Sequence, residues 1–404
     1  ETIEQTVDNE IRAQYAGMEE EAAKNSLLPA IFWRNSVDTA KIFCVNGDYL
    51  ADISAVGILD AMMGETYDYD IYPVINAQNL VIADLPAFVS ENEEEMQKRY
   101  SQSAQAVYQE IVWPSLTSIA SRTGAKMTCM MTPQFTYTDE EEPDGENVTY
   151  YLKRLKEEHA EAGLSADSRE GILLSEKIKQ DQTFWQTYAP SYRFLSLYAD
   201  GVKSIGEESA LPAEIRTVAL GSGASGQAVG YLNENVTLQP STSSGIRHTF
   251  LDDFKVKCME TALGYSNITP DLYSVTYPEG DDDSWEKMSK KIAANLGTYW
   301  KAYEAFDATT LTESDVRIRR FLALDYKQQR AGNVITLSLE HREDAAWFLL
   351  RLHGEKVTEV AGGSFEEIED GVYLILAEED EVSVEVQTGE EWQYQDGGKC
   401  GDGT

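Results

Sequence analysis

Apolar residues recur every three or four positions at Ile3, Val7, Ile11, Tyr15 and Met18 within an otherwise acidic stretch, and that spacing predicts one amphipathic helix. The pattern then shortens. Residues 40–46 form a brief apolar run rich in strand formers and lead into Gly47-Asp48, which predicts a buried strand delivering polar groups at its C-terminal end. Residues 69–75 and 80–83 predict two more short strands. From Glu91 to Thr123 the period is helical, with Met96, Tyr100, Ala104, Val107, Ile111 and Leu116 on one face and Gly124 as the stop; residues 126–132 follow as a strand. A helix over 148–162 ending at Gly163, a strand over 171–174, a helix over 179–188 and a strand over 192–198 continue the alternation.

Strands alternating with helices predict an α/β fold with a largely parallel sheet, and closure into a (β/α) barrel is the preferred form. Past residue 330 the character changes. Residues 333–339 alternate, and short strands at 345–352, 357–360, 372–377 and 382–386 are separated by Gly-Gly, Glu-Asp-Gly or acidic turns, the pattern of a β-sandwich. Thr312 and Asp315 read as a capping box opening a helix just before it. The expected organisation is therefore an N-terminal helical segment at 1–34, a barrel at 35–330, an all-β sandwich-like domain at 331–391 and a glycine-rich, flexible tail at 392–404.

Composition narrows the partners. The 404 residues carry 70 Asp plus Glu against 33 Lys plus Arg, a formal charge of −37. Such a chain repels phosphate backbones and acidic headgroups, so no nucleic-acid partner is expected, and a glycan or small neutral ligand fits better. No stretch approaches the roughly 18 apolar residues of a membrane span. The sequence opens on Glu1 with no leader, the mark of a processed form or a piece of something longer with flanking domains. Cys44, Cys129, Cys258 and Cys400 show no C-x-x-C pairing; the first two lie in apolar runs and read as small core residues.

In a barrel of this kind the residues just past each strand gather on one face and build the site. By that reasoning the candidates are Asn46, Asp48 and Asp52, with Tyr49, then Gln134 and Tyr137, then Glu176 and Lys177, then Tyr198 and Asp200. Asp48 suits either a ligand or catalytic carboxylate or a cap on the following helix. Tyrosines there, Tyr277 included, suit sugar rings or plain core packing. Of four histidines, His159, His248, His341 and His353, none has a ligand-spaced partner, and only His248 falls where it could reach the strand-end face. Gly221–Gly226 matches the G-x-G-x-x-G spacing but precedes an extended segment instead of a helix, so it reads as a glycine-rich turn. The acidic runs at 139–142, 281–283 and 378–381 read as exposed loops.

Residues Phe43–Asp48, Met131–Tyr137, Tyr151–Ser165 and Ala346–Arg351 together resemble polysaccharide-deacetylase-like proteins, and more narrowly an uncharacterised bacterial cell-surface group with that barrel followed by a β-sandwich; the resemblance covers about residues 35–390. It implies a deacetylase-like barrel, a surface or secreted location, and a divalent metal held by an aspartate and two histidines of an H-x-x-x-H type motif. Asp48 stands for the aspartate, whereas Tyr72–Asn79 contains no histidine. The reading is a glycan-interacting protein with hydrolytic, deacetylase-type activity on a carbohydrate, using Asp48, Glu176 and His248. Two alternatives stay open: a non-catalytic carbohydrate-binding or scaffold module, and a glycoside hydrolase working through carboxylates such as Asp48 and Glu176.

Overall fold

The computed structural model describes residues 31–37, 40–85, 88–137, 142–169, 172–201, 211–221, 228–247, 249–300 and 306–388. The chain divides into two compact units, Glu1–Met62 with Ile75–Arg319, and Met63–Val74 with Arg320–Thr404. Residues 1–30 of the predicted N-terminal helical segment, the tail and His248 lie outside the described residues, and Phe32, Trp33 and Arg34 at the end of that segment belong to a strand instead.

In the first unit, β1 (Phe32–Val37) and β2 (Ala40–Val45) make an antiparallel hairpin, Phe32 facing Val45 and Val37 facing Ala40. The expectation of a buried parallel strand at 40–46 is thereby corrected: β2 is exposed along its first half, and its hydrogen-bonding partner is a neighbour in sequence. Strand β3 (Tyr69–Val74) belongs to the second unit. The first strand of the parallel sheet is β4 (Ala77–Ile82), buried at all six positions, as expected of a strand covered on both faces.

There follow β5 (Met127–Met131), β6 (Glu161–Ser165), β7 (Ser196–Ala199), β8 (Thr217–Leu220), β9 (Gly230–Tyr231), β10 (Thr237–Pro240), β11 (Tyr265–Ile268) and β12 (Ala308–Thr309). The spatial order is β11-β4-β5-β6-β7-β8-β10-β9, with β12 also on β4, and all pairings except β9–β10 are parallel. The sheet curls into a half-barrel, and β10 and β11 approach through a single bridge, Ser243 to Ile268. Strand β6 falls where the sequence suggested the end of a helix. That helix, Glu146–Glu157, stops earlier because His159 turns left-handed at φ 53°, and Ala160 leads into the sheet. The anticipated strand at 171–174 is replaced by the start of the helix Leu174–Tyr188.

Polar side chains fill one end of the curl. Asn79 donates to Gln239 Oε1 (3.1 Å) and Ser314 Oγ (3.2 Å), and Thr237 donates to Asp315 Oδ1 (2.6 Å), tying β4 and β10 to the helix Leu311–Ala323. This helix is capped by Thr310 and Glu313, each backbone N–H reaching the other's side chain, two residues ahead of the predicted Thr312–Asp315 box. Asp315 is buried and occupied with Thr237 and Arg319 instead.

The second unit comprises β3 with β13 (Asp325–Ala331), β14 (Val334–Glu340), β15 (Ala346–Leu352), β16 (Glu355–Ala361), β17 (Gly363–Glu369), β18 (Val372–Ala377) and β19 (Glu381–Thr388). They form two antiparallel sheets, β13-β14-β19-β16 and β17-β18-β15-β3. Alternate residues of both, among them Ile335, Leu337, Val382 and Val384 from one and Ile71, Phe348, Leu350 and Ile375 from the other, share one core. The unit thus starts at Arg320 instead of 331 and takes one strand from before the parallel sheet.

Candidate functional site

Because β4 to β8, β10 and β11 run parallel, whatever follows each strand is delivered to the same end. Asp84 lies two residues past β4, Asp167 two past β6, Asp200 directly past β7, and Asp271 three past β11. A bridge between Ala83 and Asp271 sets two of these loops side by side. One carboxylate oxygen each of Asp84, Asp167 and Asp271 lies within 4.8 Å of the others. Asp84 is fully buried and held at φ 56°, a left-handed conformation that aspartate tolerates better than most residues. Asp271 Oδ1 accepts from the Tyr273 N–H at 2.8 Å, and the Asp167 N–H donates to Ser165 Oγ at 3.1 Å. Neither oxygen of Asp84 has a hydrogen-bond partner of normal geometry among the described residues.

Three carboxyls this close cannot all ionise without a compensating cation. Burial, then the charges of Asp167 and Asp271, push Asp84 well above the usual carboxylate range, against a smaller opposing pull from Ser165 and Lys177. Burial, with Asp271 and Asp200, pushes Asp167 up to about 7. Burial also raises Asp271, although the Tyr273 N–H works against it. The positive charge that acts on Asp84 and Asp167 is that of Lys177, wholly buried, whose ammonium donates to Ser165 O (2.9 Å) and Asp181 Oδ2 (2.7 Å). Asp181 in turn accepts from the Tyr137 hydroxyl at 2.7 Å. Lys177 is therefore committed to Asp181, and its charge only partly offsets the acidic trio.

Aromatic rings stand beside the trio. Tyr273 and Tyr277 stack with centroids 5.1 Å apart, Phe135 meets both edge-on, and Arg169 lies 4.4 Å over Tyr277. Glu91 fixes this wall by accepting from the N–H groups of Phe135 (3.1 Å) and Thr136 (2.8 Å) and from the Tyr277 hydroxyl (2.9 Å).

The residues expected from sequence divide into those this site gathers and those it leaves aside. Tyr198 is buried beside the carboxylates, and burial followed by Asp271, Asp167 and Asp84 raises its hydroxyl far above an ordinary phenol. Asp200 contributes its field to Asp167 and Asp271. Tyr137 joins through Asp181, and Gln134 sits between the two segments, accepting from Thr132 Oγ1 at its carbonyl. Asp48 is exposed on the turn after the β1–β2 hairpin, where its carbonyl accepts from Ala51 N–H; Tyr49 packs against Phe32 and Phe254; and Asp52 accepts from the Ser54 N–H. Glu176 is exposed on the first turn of its helix, while its neighbour Lys177 points inward. The hairpin is the physical reason for the displaced aspartate: the strand ahead of Asp48 is not in the parallel sheet.

Gly221, immediately past β8, explains part of the glycine-rich run. A Cβ there would lie 2.7 Å from Asp200 Oδ1 and 2.8 Å from the Tyr198 hydroxyl, so the position needs glycine for these two groups to keep their places. Gly221→Ala is expected to weaken divalent-cation affinity by about tenfold while lowering stability by only about 1 kcal/mol, read by calorimetric titration and urea unfolding. Unchanged affinity would show that Asp200 and Tyr198 do not bear on the trio.

The donor set also tests the metal implied by the sequence resemblance. Among the described residues the cluster holds no histidine: His159 is exposed at a helix end, His341 Nδ1 lies 3.2 Å from Asp325, and His353 Nε2 lies 2.9 Å from Gly64 O. An aspartate-only set offers hard oxygen donors, which suit Mg2+, Ca2+ or Mn2+ better than the mixed nitrogen set typical of zinc. The orphaned, buried Asp84 fits a cation of that kind.

Comparison with known proteins adds little at the level of sequence. A family described as an uncharacterised protein conserved in bacteria (DUF2194) matches residues 7–170. None of the curated proteins matches the chain. Among solved structures, a candidate polysaccharide deacetylase from Mycobacterium smegmatis is 7% identical, with 60% of this chain and 90% of that one covered at a TM-score of 0.35. A candidate glycoside hydrolase/deacetylase from Parabacteroides distasonis is 10% identical over 69% and 82% at 0.35, and the endo-beta1,6-glucanase BT3312 is 10% identical over 84% and 90% at 0.30.

Proposed function

We propose that the chain is a divalent-cation-dependent hydrolase acting on a carbohydrate, with the cation held by Asp84, Asp167 and Asp271. The observation that carries this reading is the convergence of three carboxylates within 4.8 Å around Asp84, whose oxygens are buried with no hydrogen-bond partner of normal geometry among the described residues. The stacked Tyr273 and Tyr277 offer the flat apolar surface on which a sugar ring rests. Ring closure through the Ser243–Ile268 seam, deacetylase ancestry and an extracellular or cell-surface address belong to the same proposal and rest on the sequence resemblance.

Each group has a task in that reading. When bound, the cation supplies Lewis-acid polarisation of a carbonyl and eases ionisation of water. Asp84, Asp167 and Asp271 would hold it, Asp84 from a fully buried position. Lys177, locked between Ser165 O and Asp181, holds the β6 loop and keeps the local charge from becoming wholly negative. The Tyr198 hydroxyl, which burial and the surrounding carboxylates keep protonated, supplies one O–H donor beside the trio.

The test is turnover on acetylated oligosaccharides, followed by acetate release, and on a panel of aryl glycosides, each with added magnesium, manganese, cobalt, zinc or calcium and with a chelator. Turnover that needs a cation and disappears on chelation is expected. Absence of cation binding at millimolar concentration would sink the proposal. Sugar cleavage that survives chelation would instead support the two-carboxylate glycosidase, because carboxyls about 5 Å apart suit a retaining mechanism and Asp167, pushed up to about 7, could then serve as its acid.

A further inference from the structure

The second unit carries a cleft of about 740 Å³ that lies apart from the acidic trio in sequence and is lined by residues of that unit alone. Its wall is built by the segment leading into β3, by β13, and by the β15–β16 turn. Tyr67 presents its ring with 52% of the residue exposed, whereas Tyr69 is half-buried and lies 5.3 Å beneath the Arg330 guanidinium. Arg330 is further fixed by Glu355 Oε1 at 2.7 Å and by the Gly332 carbonyl at 3.0 Å, so both its charge and its plane are set before any ligand arrives. Asp68 and Asp70 face the same space.

This combination is selective in chemical terms. An exposed tyrosine beside an immobilised guanidinium and two carboxylates offers one apolar platform and several hydrogen-bonding groups of both kinds, which matches a ring with C–H groups on its faces and hydroxyls around its edge. Three carboxylates against one arginine repel anionic ligands, and the arginine is already neutralised by Glu355. We propose that this cleft is a second binding site, specific for neutral saccharides, that holds a glycan independently of the acidic centre of the first unit.

The experiment uses the full chain. Cello-, malto-, xylo-, manno- and chito-hexasaccharides, with polygalacturonate and spermine as charged controls, are titrated by calorimetry against wild type, Tyr67→Ala, Asp68→Ala and Asp84→Asn. At least one neutral hexasaccharide is expected to bind, with affinity reduced at least about tenfold by Tyr67→Ala and by Asp68→Ala and retained in Asp84→Asn. Both substituted side chains in the cleft are on the surface, so folding is preserved and is checked by the melting curve. The proposal is overturned if no neutral hexasaccharide binds at millimolar concentration, if binding ignores both cleft substitutions, or if polygalacturonate or spermine is preferred. Loss of binding in Asp84→Asn alone would place the saccharide at the acidic centre instead, so failure here and failure of the hydrolase reading give different results.

Discussion

Asp84→Asn is expected to abolish cation-dependent turnover, by roughly three orders of magnitude, while making the cation-free protein more stable at pH 8. Both effects come from one side chain. The carboxyl is fully buried, lies against Asp167 and Asp271, and has its folded-state ionisation pushed upward by burial and by those two charges. A group raised in this way contributes its full stability below its unfolded-state pKa, where it is protonated in both states. It loses that contribution as pH rises, because the unfolded chain releases the proton first. Asparagine keeps the volume, cannot ionise, and cannot neutralise a divalent cation. Cation-induced stabilisation should therefore shrink toward zero in the variant, whereas its cation-free melting temperature should exceed that of wild type by an amount equivalent to about 1–3 kcal/mol at pH 8. Melting curves with and without manganese or calcium read both numbers. Retention of the cation-dependent shift in Asp84→Asn would remove the basis for the metal centre.

A second large effect concerns Glu260, on the helix Phe250–Leu263. Its Oε1 accepts from Gln78 Nε2 at 3.0 Å, and burial, against smaller opposing pulls from Ser266 and Gln78, pushes its carboxyl up to about 8. The sign is the same as for Asp84. Stability is complete near pH 4.5 and falls as pH approaches 8, with a limiting slope of about 1.4 kcal/mol per pH unit for each such group. General repulsion in a chain of net charge −37 adds to the decline, so the informative quantity is the difference between wild type and Glu260→Gln. That difference is expected to grow by a few kcal/mol between pH 5 and pH 8 in urea unfolding. Saturating divalent cation should flatten the part due to Asp84, Asp167 and Asp271 and leave the Glu260 part untouched. Parallel pH profiles for the two proteins would mean that Glu260 ionises freely in the folded state.

The alternation of strands and helices made the parallel sheet legible in the sequence, and the short strands past residue 330 made the all-β unit legible. The parts that misled share one cause: partner choice is not written in a single strand. Residues 40–46 and 80–83 are both short apolar runs followed by a carboxylate, but only the second is buried on both faces within the parallel sheet. Asp84 was therefore available to the same reasoning that selected Asp48. Asp167 was hidden because Glu161–Ser165 continues the composition of the preceding helix, and the left-handed turn at His159 that separates them has no strong signature without glycine. The sequence places Tyr198 and Asp200 at a strand end, where they lie, because β7 ends where its apolar run ends. Glu176 and Lys177 stand together as candidates in the sequence, and only the phase of the helix Leu174–Tyr188 tells that the lysine turns inward and the glutamate outward.

Strand β3 has a consequence for how the molecule is made. Tyr72 and its contact Arg351 are 279 positions apart, and β3 pairs with β15 from Tyr69–Leu352 to Val74–Trp347. During synthesis this strand emerges long before its partner, so the second unit cannot complete its hydrogen-bonded edge until Ala346–Leu352 have left the ribosome. A fragment cut at residue 320 would lack β3 and leave one side of β15 open to pairing with another chain, whereas an excised fragment that keeps β3 through a short artificial loop would restore it.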